Sequence, residues 1–303
     1  MKTNRISAYL VLVIGVLAVS TASTLIRLAQ AELTPLAVAA WRLTLASLIL
    51  APFALMRRRA EWGALSRRDW GLLLASGLLL AVHFAAWITS LALTSVVAAI
   101  VLVSVNPLFV GLLNYLLWRE KLPRPILWGM LLALVGAVVI GLDDLGLGTH
   151  RLRGDFLALL GALTVAGYLL IGQRLRRRLS LLGYVFPVYA TAALALMAFA
   201  LLRATPLTGY AFHSWVWLLL LALIPQLIGH SSLNWALRDL PATYVSLSTL
   251  AEPLCSTLLA WLILSEAPPM VSFLGGVLVL LGLVLARKRV SEKNEAQRWG
   301  PVD

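Results

Sequence analysis

The sequence predicts an all-α polytopic membrane protein: ten transmembrane helices arranged as two inverted five-helix repeats. Three observations carry this. Apolar blocks are long enough to cross a bilayer, basic residues collect in alternate segments between them, and an internal repeat recurs at an offset that spans five blocks. Of 303 residues, 61% are hydrophobic and 13% charged, against about a quarter charged in a soluble globule. The charges cluster and leave apolar blocks of roughly 20 residues, the length a helix needs to cross the hydrocarbon core. The net charge of +12 would suit a nucleic-acid binder. Here the arginines sit in short runs between apolar blocks, as cytoplasmic loops of membrane proteins do. The lipid bilayer is the expected partner, and nucleic acid is not.

Taken in order, the first block covers residues 6–29. It opens like a signal peptide, with Lys2 and Arg5 before an apolar core, but the apolar character runs on to Ala29. That exceeds a usual signal h-region, so the segment reads as an uncleaved first span. Spans follow at 34–56, 70–91, 95–118 and 125–142, then at 154–173, 181–202, 215–237, 241–264 and 268–286. Connections are short: Leu93-Thr94-Ser95 and Asp239-Leu240-Pro241 leave room only for tight turns. With the amino terminus inside, the inner segments collect Arg57–Arg59, Arg67, Arg68, Arg119, Lys121, Arg124 and the run Arg174–Arg178. The outer ones hold only Arg151, Arg153 and Arg203. This bias sets both termini in the cytoplasm, with residues 287–303 as a basic tail. Losing one span would put the later basic loops on the wrong side. A single cysteine, Cys255, rules out an internal disulfide.

The repeat appears when the chain is slid against itself by 146 residues. Val105–Gly136 then falls on Ala251–Gly282 without a gap, and 11 of 32 positions agree. Leucine matches carry little weight in a membrane protein. The informative ones are Pro107/Pro253, Glu120/Glu266, Pro123/Pro269, Gly129/Gly275 and Gly136/Gly282. Five spans separate the copies, and an odd number makes the halves cross in opposite directions. The charges agree: the loop after span 4 is basic, whereas its copy after span 9 is not. The expected units are residues 6–142 for spans 1–5 and residues 154–286 for spans 6–10. Antiparallel halves around one site are a recurring plan of secondary transporters, because the two can exchange conformations and alternate access.

These features resemble a known family. Ten spans in two inverted halves, an apolar Asn-Pro or Glu-Pro helix closing on Arg-Glu or Ser-Glu, and a Gly-spaced helix after it are similar to the EamA domains of the drug/metabolite transporter superfamily. Arg42 in span 2 fits the same pattern, and the likeness covers essentially all of residues 6–286. It implies a secondary transporter of the bacterial inner membrane. Within the family the chain looks most like an exporter of amino acids, aromatic ones included. The shared motifs are architectural and do not select the cargo.

Inside a helix, Pro107 takes the usual donor from the carbonyl of Val103, and Pro253 does the same to Thr249. Freed backbone groups in lipid need partners in the protein or a water-lined cavity, so spans 4 and 9 should be kinked and face inward. Glu120 and Glu266 read as structural helix ends. In span 5, Gly129, Ala133, Ala137 and Gly141 recur every fourth residue, a stripe that permits close packing within one monomer or across a homodimer.

Polar residues inside a membrane are costly and point to function. In span 8, Gln226, His230 and Asn234 share one helical face. Span 9 carries Tyr244, Ser248, Glu252 and Ser256 at the same period. Span 3 supplies His83, Trp87 and Ser90, span 4 Asn106, and span 6 Tyr168. The expected substrate cavity is lined by His83, Trp87, Asn106, Tyr168, His230, Asn234, Tyr244, Ser248 and Glu252. Each has a plainer reading: the tryptophan and tyrosines as packing, the serines bonded to their own helices, the histidines as links between helices. Arg42, two turns into its span, is expected to snorkel outward. Glu252, halfway along span 9, would take up a proton if left unpaired. An amino acid needs donors for its carboxylate, which His230, Asn234, Asn106 or an arginine would supply. Its ammonium would meet Glu252, with Trp87 or Tyr168 adding cation–π attraction.

An enzyme is not expected: no metalloprotease helix, nucleophile elbow, phosphate loop or acidic metal cluster is present, and the pair Asp143-Asp144 reads as a turn. No catalytic residue, cofactor or metal site is therefore assigned. Without a nucleotide-binding motif, ATP-driven transport by this chain is disfavoured. Drugs, nucleosides or other small metabolites remain the alternative cargoes, because fold does not fix function.

Overall fold

The computed structural model describes residues 5–119, 124–141, 149–265, 270–271, 273–278, 281–282 and 284–285. Among the described residues, eight helices are long and apolar enough to cross a membrane: Ala8–Ala29, Pro35–Arg57, Arg67–Leu93, Val96–Leu117, Arg151–Arg176, Leu181–Leu202, Phe212–Ala236 and Ala242–Ile263. These are spans 1–4 and 6–9. Span 5 is the helix Arg124–Gly141, whose apolar part, Leu127–Gly136, is shorter. Of span 10 the described residues are all helical. Glu120, Glu266, Pro123, Pro269, Asp143-Asp144 and the basic tail 287–303 lie outside the described residues.

Helix starts follow from local chemistry. The Thr34 hydroxyl accepts from the Ala37 amide ahead of Pro35, and Ser66 and Asp69 form a reciprocal capping box. Ser95 and Ser180 cap spans 4 and 7 in the same way. Each cap satisfies an amide that the first helical turn leaves without a partner.

Span 3 lies along span 6 and span 7 along spans 2 and 3, while span 1 packs on span 8. Spans 4 and 6 touch, as do spans 9 and 1. Moving every span five places along the chain exchanges the 3–6 contact with the 8–1 contact, and the 4–6 contact with the 9–1 contact. Close approach needs small residues. A Cβ on Gly77 would lie 2.5 Å from the Cβ of Thr191 on span 7. The stripe of span 5 is met from within the chain, since Gly282 sits against Gly129 and Ala133. The outer faces carry Leu10, Val13 and Leu17 on span 1, Leu48 and Phe53 on span 2 and Leu194 and Leu201 on span 7, all exposed. A soluble monomer would not expose so much apolar surface, whereas a bilayer covers it.

Among the described residues, spans 4 and 9 are broken and span 8 is widened. Span 4 consists of Val96–Val103 and Asn106–Trp118, joined through Ser104 and Val105. Span 9 consists of Ala242–Ser248 and Glu252–Leu264, joined by a tight turn at Thr249–Ala251. The second pieces end on Arg119 and Ser265, both left-handed, with φ of 56° and 57°. Breaks and caps thus recur 146 residues apart. Span 8 widens into π-helical turns over Ala222–His230, around Pro225. Such widening accompanies a proline that withdraws a donor, and it is frequent at functional sites.

Candidate functional site

The breaks of spans 4 and 9 meet at the centre of the protein. Pro107 cannot donate to the carbonyl of Val103, and the Asn106 side chain does so instead, with Nδ2 3.2 Å from that oxygen. The same nitrogen reaches 3.4 Å to Oγ1 of Thr249 in the break of span 9. There the orphaned carbonyl of Thr249 is served by the amide of Glu252. One break borrows a side chain and the other tightens its own turn.

Around this point lies a cavity of about 50 Å³. Its polar lining is His83 and Trp87 from span 3, Asn106 from span 4, His230 from span 8, and Thr249 and Glu252 from span 9; Val19, Val165, Leu169 and Leu233 supply apolar walls. His83 stacks on Trp87, with ring centres 5.9 Å apart and an angle of 11°. Its Nδ1 lies 2.9 Å from the carbonyl of Gly161. A carbonyl only accepts, so Nδ1 carries the proton in this bond. His230 stands 6.3 Å from His83, ring to ring, and packs edge-to-face with Phe84 at 5.2 Å. The indole N–H of Trp87, Oδ1 of Asn106 and Nδ1 of His230 are buried without a protein partner. Buried polar atoms are normally bonded, so idle ones around a cavity are open to water or a ligand.

Five of the nine expected residues thus share one cavity: His83, Trp87, Asn106, His230 and Glu252. Tyr168 and Asn234 are fully buried behind its wall and bonded to each other. Asn234 also donates to the carbonyl of His230 at 2.7 Å, holding span 8 at the end of its widened turn. Tyr244 and Ser248 face elsewhere. They line a cleft of about 360 Å³ between spans 1 and 9, where Tyr244 packs edge-on against Tyr9 at 5.5 Å. Alternation along a helix told which residues turn from lipid, but not whether they meet a cavity, another helix or a cleft.

Arg42 corrects the expectation that it snorkels outward. Its side chain is fully buried, because span 2 presents that face to spans 3, 7 and 8. Nε donates to Oε1 of Gln226 at 2.9 Å, and the guanidinium carbon stands 4.2 Å above the ring centre of Phe84. It lies within electrostatic reach of Glu252, His83 and His230. Phe84 carried no signal of its own beyond its place next to His83. Gln226 had one: it shares a face with His230.

Toward the end that the charge pattern assigns to the cytoplasm, a polar vestibule of about 400 Å³ is lined by Asn114, Gln173, Arg174, Arg177, Arg178 and Thr243, among others. Leu170 lines the vestibule and its neighbour Leu169 lines the cavity. Among the described residues no group of three or more His, Cys, Asp or Glu could hold a metal ion.

The profile of the EamA-like transporter family matches residues 6–142 and 152–287. The pseudopaline exporter CntI of Pseudomonas aeruginosa is 25% identical over 278 residues, covering 92% of this chain and 95% of the relative. An uncharacterised transporter of Bacillus subtilis, YwfM, is 26% identical and covers 88% of each chain. An uncharacterised transporter of Archaeoglobus fulgidus is 25% identical over 93% of this chain and 99% of its own. A protein crystal structure superposes with a TM-score of 0.73 at 21% identity, covering 95% of this chain and 99% of the other. That likeness shows the polytopic α-helical fold.

Proposed function

We propose that this chain, which belongs to the EamA-like transporter family, exports small zwitterionic metabolites, amino acids foremost, by alternating access around the central cavity. The observation that carries the reading is the mixed chemistry of that cavity. The carboxyl of Glu252 and the face of Trp87 suit an ammonium group, while Asn106 and His230 offer polar atoms on the opposite elements and the aliphatic walls accept a side chain. Few fixed polar partners in an apolar pocket favour broad specificity. Export is supported by the relative named as a pseudopaline exporter.

A drug-sized ligand site measures about 300–1,000 Å³, so a cavity of about 50 Å³ corresponds to a closed arrangement that must widen to take cargo. Alternation is supported by the matched breaks at Val103–Asn106 and Ser248–Glu252 and by contacts that exchange between the halves. Breaks in the helices give the backbone somewhere to bend without disturbing the packed helices on either side. The charge pattern supports cytoplasmic termini, and on that reading the arginine-rich vestibule is the loading end for export.

The test is flux of labelled phenylalanine, threonine and methionine in proteoliposomes, with and without a proton gradient. Saturable flux, competed by other amino acids and reduced by His230→Ala and Glu252→Gln, is the expected result. No flux above empty liposomes, with the protein shown to be folded, would discard the amino-acid reading. The apolar cleft between spans 1 and 9 favours one second reading, export of drugs that enter from the bilayer, and Tyr244→Ala would then lower drug flux.

A further inference from the structure

We propose that Arg42 is the anchor that grips a carboxylate of the cargo, an inference that rests on the central cavity being the cargo site. Arg42 is fully buried, and Nε alone is bonded, to Gln226. Nη1 and Nη2 are buried with no protein acceptor, so four N–H groups are idle. Among the described residues no carboxylate forms an ion pair with it. Removing a guanidinium from water without a carboxylate bonded to it is unfavourable, and a neutral side chain of similar volume would fill the space at less cost.

The geometry makes the idle end usable. Gln226 holds Nε, and the face of Phe84 lies under the guanidinium plane. What remains free is the two-pronged end, the edge that accepts a carboxylate with two parallel hydrogen bonds. Gln226 belongs to the widened turns of span 8, the element that also carries His230 into the cavity. Phe84 contacts Arg42 with its face and packs at a steep angle against His230, which lines the cavity. One ring therefore touches both the cation and a cavity residue, and in this proposal its displacement as the cavity widens brings Arg42 to the cargo.

The chemistry of the ligand follows from the charge count. Two other buried or half-buried arginines spend guanidinium nitrogens on backbone: Arg27 in span 1 donates to the carbonyl of Thr94 at 3.1 Å, and Arg176, at the inner end of span 6, donates to the carbonyls of Asn234 and Leu179. A single unpaired guanidinium matches one carboxylate better than a phosphate dianion. With the Glu252 carboxyl lining the cavity, an acceptor for an ammonium accompanies the cation that takes the carboxylate, a combination that suits a zwitterion, and Gln226 acts as the positioning residue for Arg42.

The experiment is calorimetric binding of three probes to the purified full chain: phenylalanine, phenylalaninamide and 3-phenylpropanoate. Charge-assisted bonds of this kind correspond to roughly 10- to 100-fold in affinity. The expected result is that phenylalanine binds at least about 10-fold more tightly than its amide, that Arg42→Gln abolishes the preference, and that Arg42→Lys keeps part of it. Equal binding of acid and amide, or a folded Arg42→Gln protein that retains the preference, would overturn the anchor and leave the amino-acid reading standing. Arg42-dependent binding of 3-phenylpropanoate without binding of phenylalanine would keep the anchor and discard the amino-acid reading. Binding of none of the three to folded protein overturns both. Should Arg42→Gln fail to fold, Gln226→Leu replaces it: weaker acid binding with unchanged amide binding supports the anchor, and unchanged acid binding counts against it.

Discussion

The side chain of Asn106 donates to the carbonyl of Val103, 3.2 Å away, and so replaces the amide that Pro107 lacks. Two neighbouring residues thus make and mend one break. Asn106→Leu should leave that oxygen without a donor in an apolar setting, a cost of about 1–3 kcal/mol. Adding Pro107→Ala restores a backbone donor, so the double variant should recover most of the lost thermal stability. Its flux should stay low, because span 4 then runs unbroken past the cavity. A double variant no more stable than Asn106→Leu alone would show that the break is held by something else.

At Gly77 spans 3 and 7 approach too closely to admit a Cβ. An added Cβ would meet the Cβ of Thr191 at 2.5 Å and the carbonyl of Val188 at 2.8 Å. Backbone cannot yield as a flexible side chain can, so Gly77→Ala should destabilise by about 1–3 kcal/mol. Gly63, with nothing within 4 Å of the same position, is the control and should tolerate alanine. Equal melting temperatures for the two variants would contradict the close packing.

At the end carrying the loop between spans 1 and 2, Glu32 accepts from the Ser214 hydroxyl at 2.6 Å and the Ala211 amide at 3.3 Å, with His213 3.2 Å away. The Ser214 bond, then the Ala211 amide and the charge of His213, hold its carboxyl below the ordinary value of 4.5. A depressed carboxyl contributes stability that is full above the unfolded value and is lost as pH falls through the folded one. Glu32→Gln should therefore melt below the wild type at neutral pH, and the gap should close in acid beneath about pH 4.5. A gap that stays constant with pH would rule out this linkage.

At the opposite end the carboxylate of Glu61 accepts from the amide and hydroxyl of Ser180, and Trp62 donates to the carbonyl of Gly183 at 2.9 Å. These bonds tie the loop after span 2 to the start of span 7, beside the vestibule. Glu61→Ala should loosen that end. In a Cys255→Ser background, Thr243→Cys inside the vestibule should then react several-fold faster with a maleimide. Unchanged labelling would mean that the tie does not govern access.

Much of the architecture could be read from the residues, for stated reasons. Leucine-rich blocks bounded by arginines had to become spans because lipid accepts no unpaired charge and no unpaired backbone. Pro107 and Pro253 had to break theirs because a proline has no amide to give. Gln226, His230 and Asn234 had to turn inward because four-residue spacing places them on one face. The sequence by itself therefore determined the helical membrane fold, the broken spans and the pool of residues from which a site can be drawn. Only the tertiary structure decided how that pool was divided. It set His83, Trp87, Asn106, His230 and Glu252 around one cavity, withdrew Tyr168 and Asn234 behind its wall, turned Tyr244 and Ser248 to the cleft, and buried Arg42 against Phe84. The physical reason is that helical periodicity records which face avoids lipid, whereas a packed interface, a cavity and a cleft all avoid it alike. What separates them is the crossing of one helix on another, and that is settled by contacts such as Gly77 against Thr191, between residues far apart in the chain.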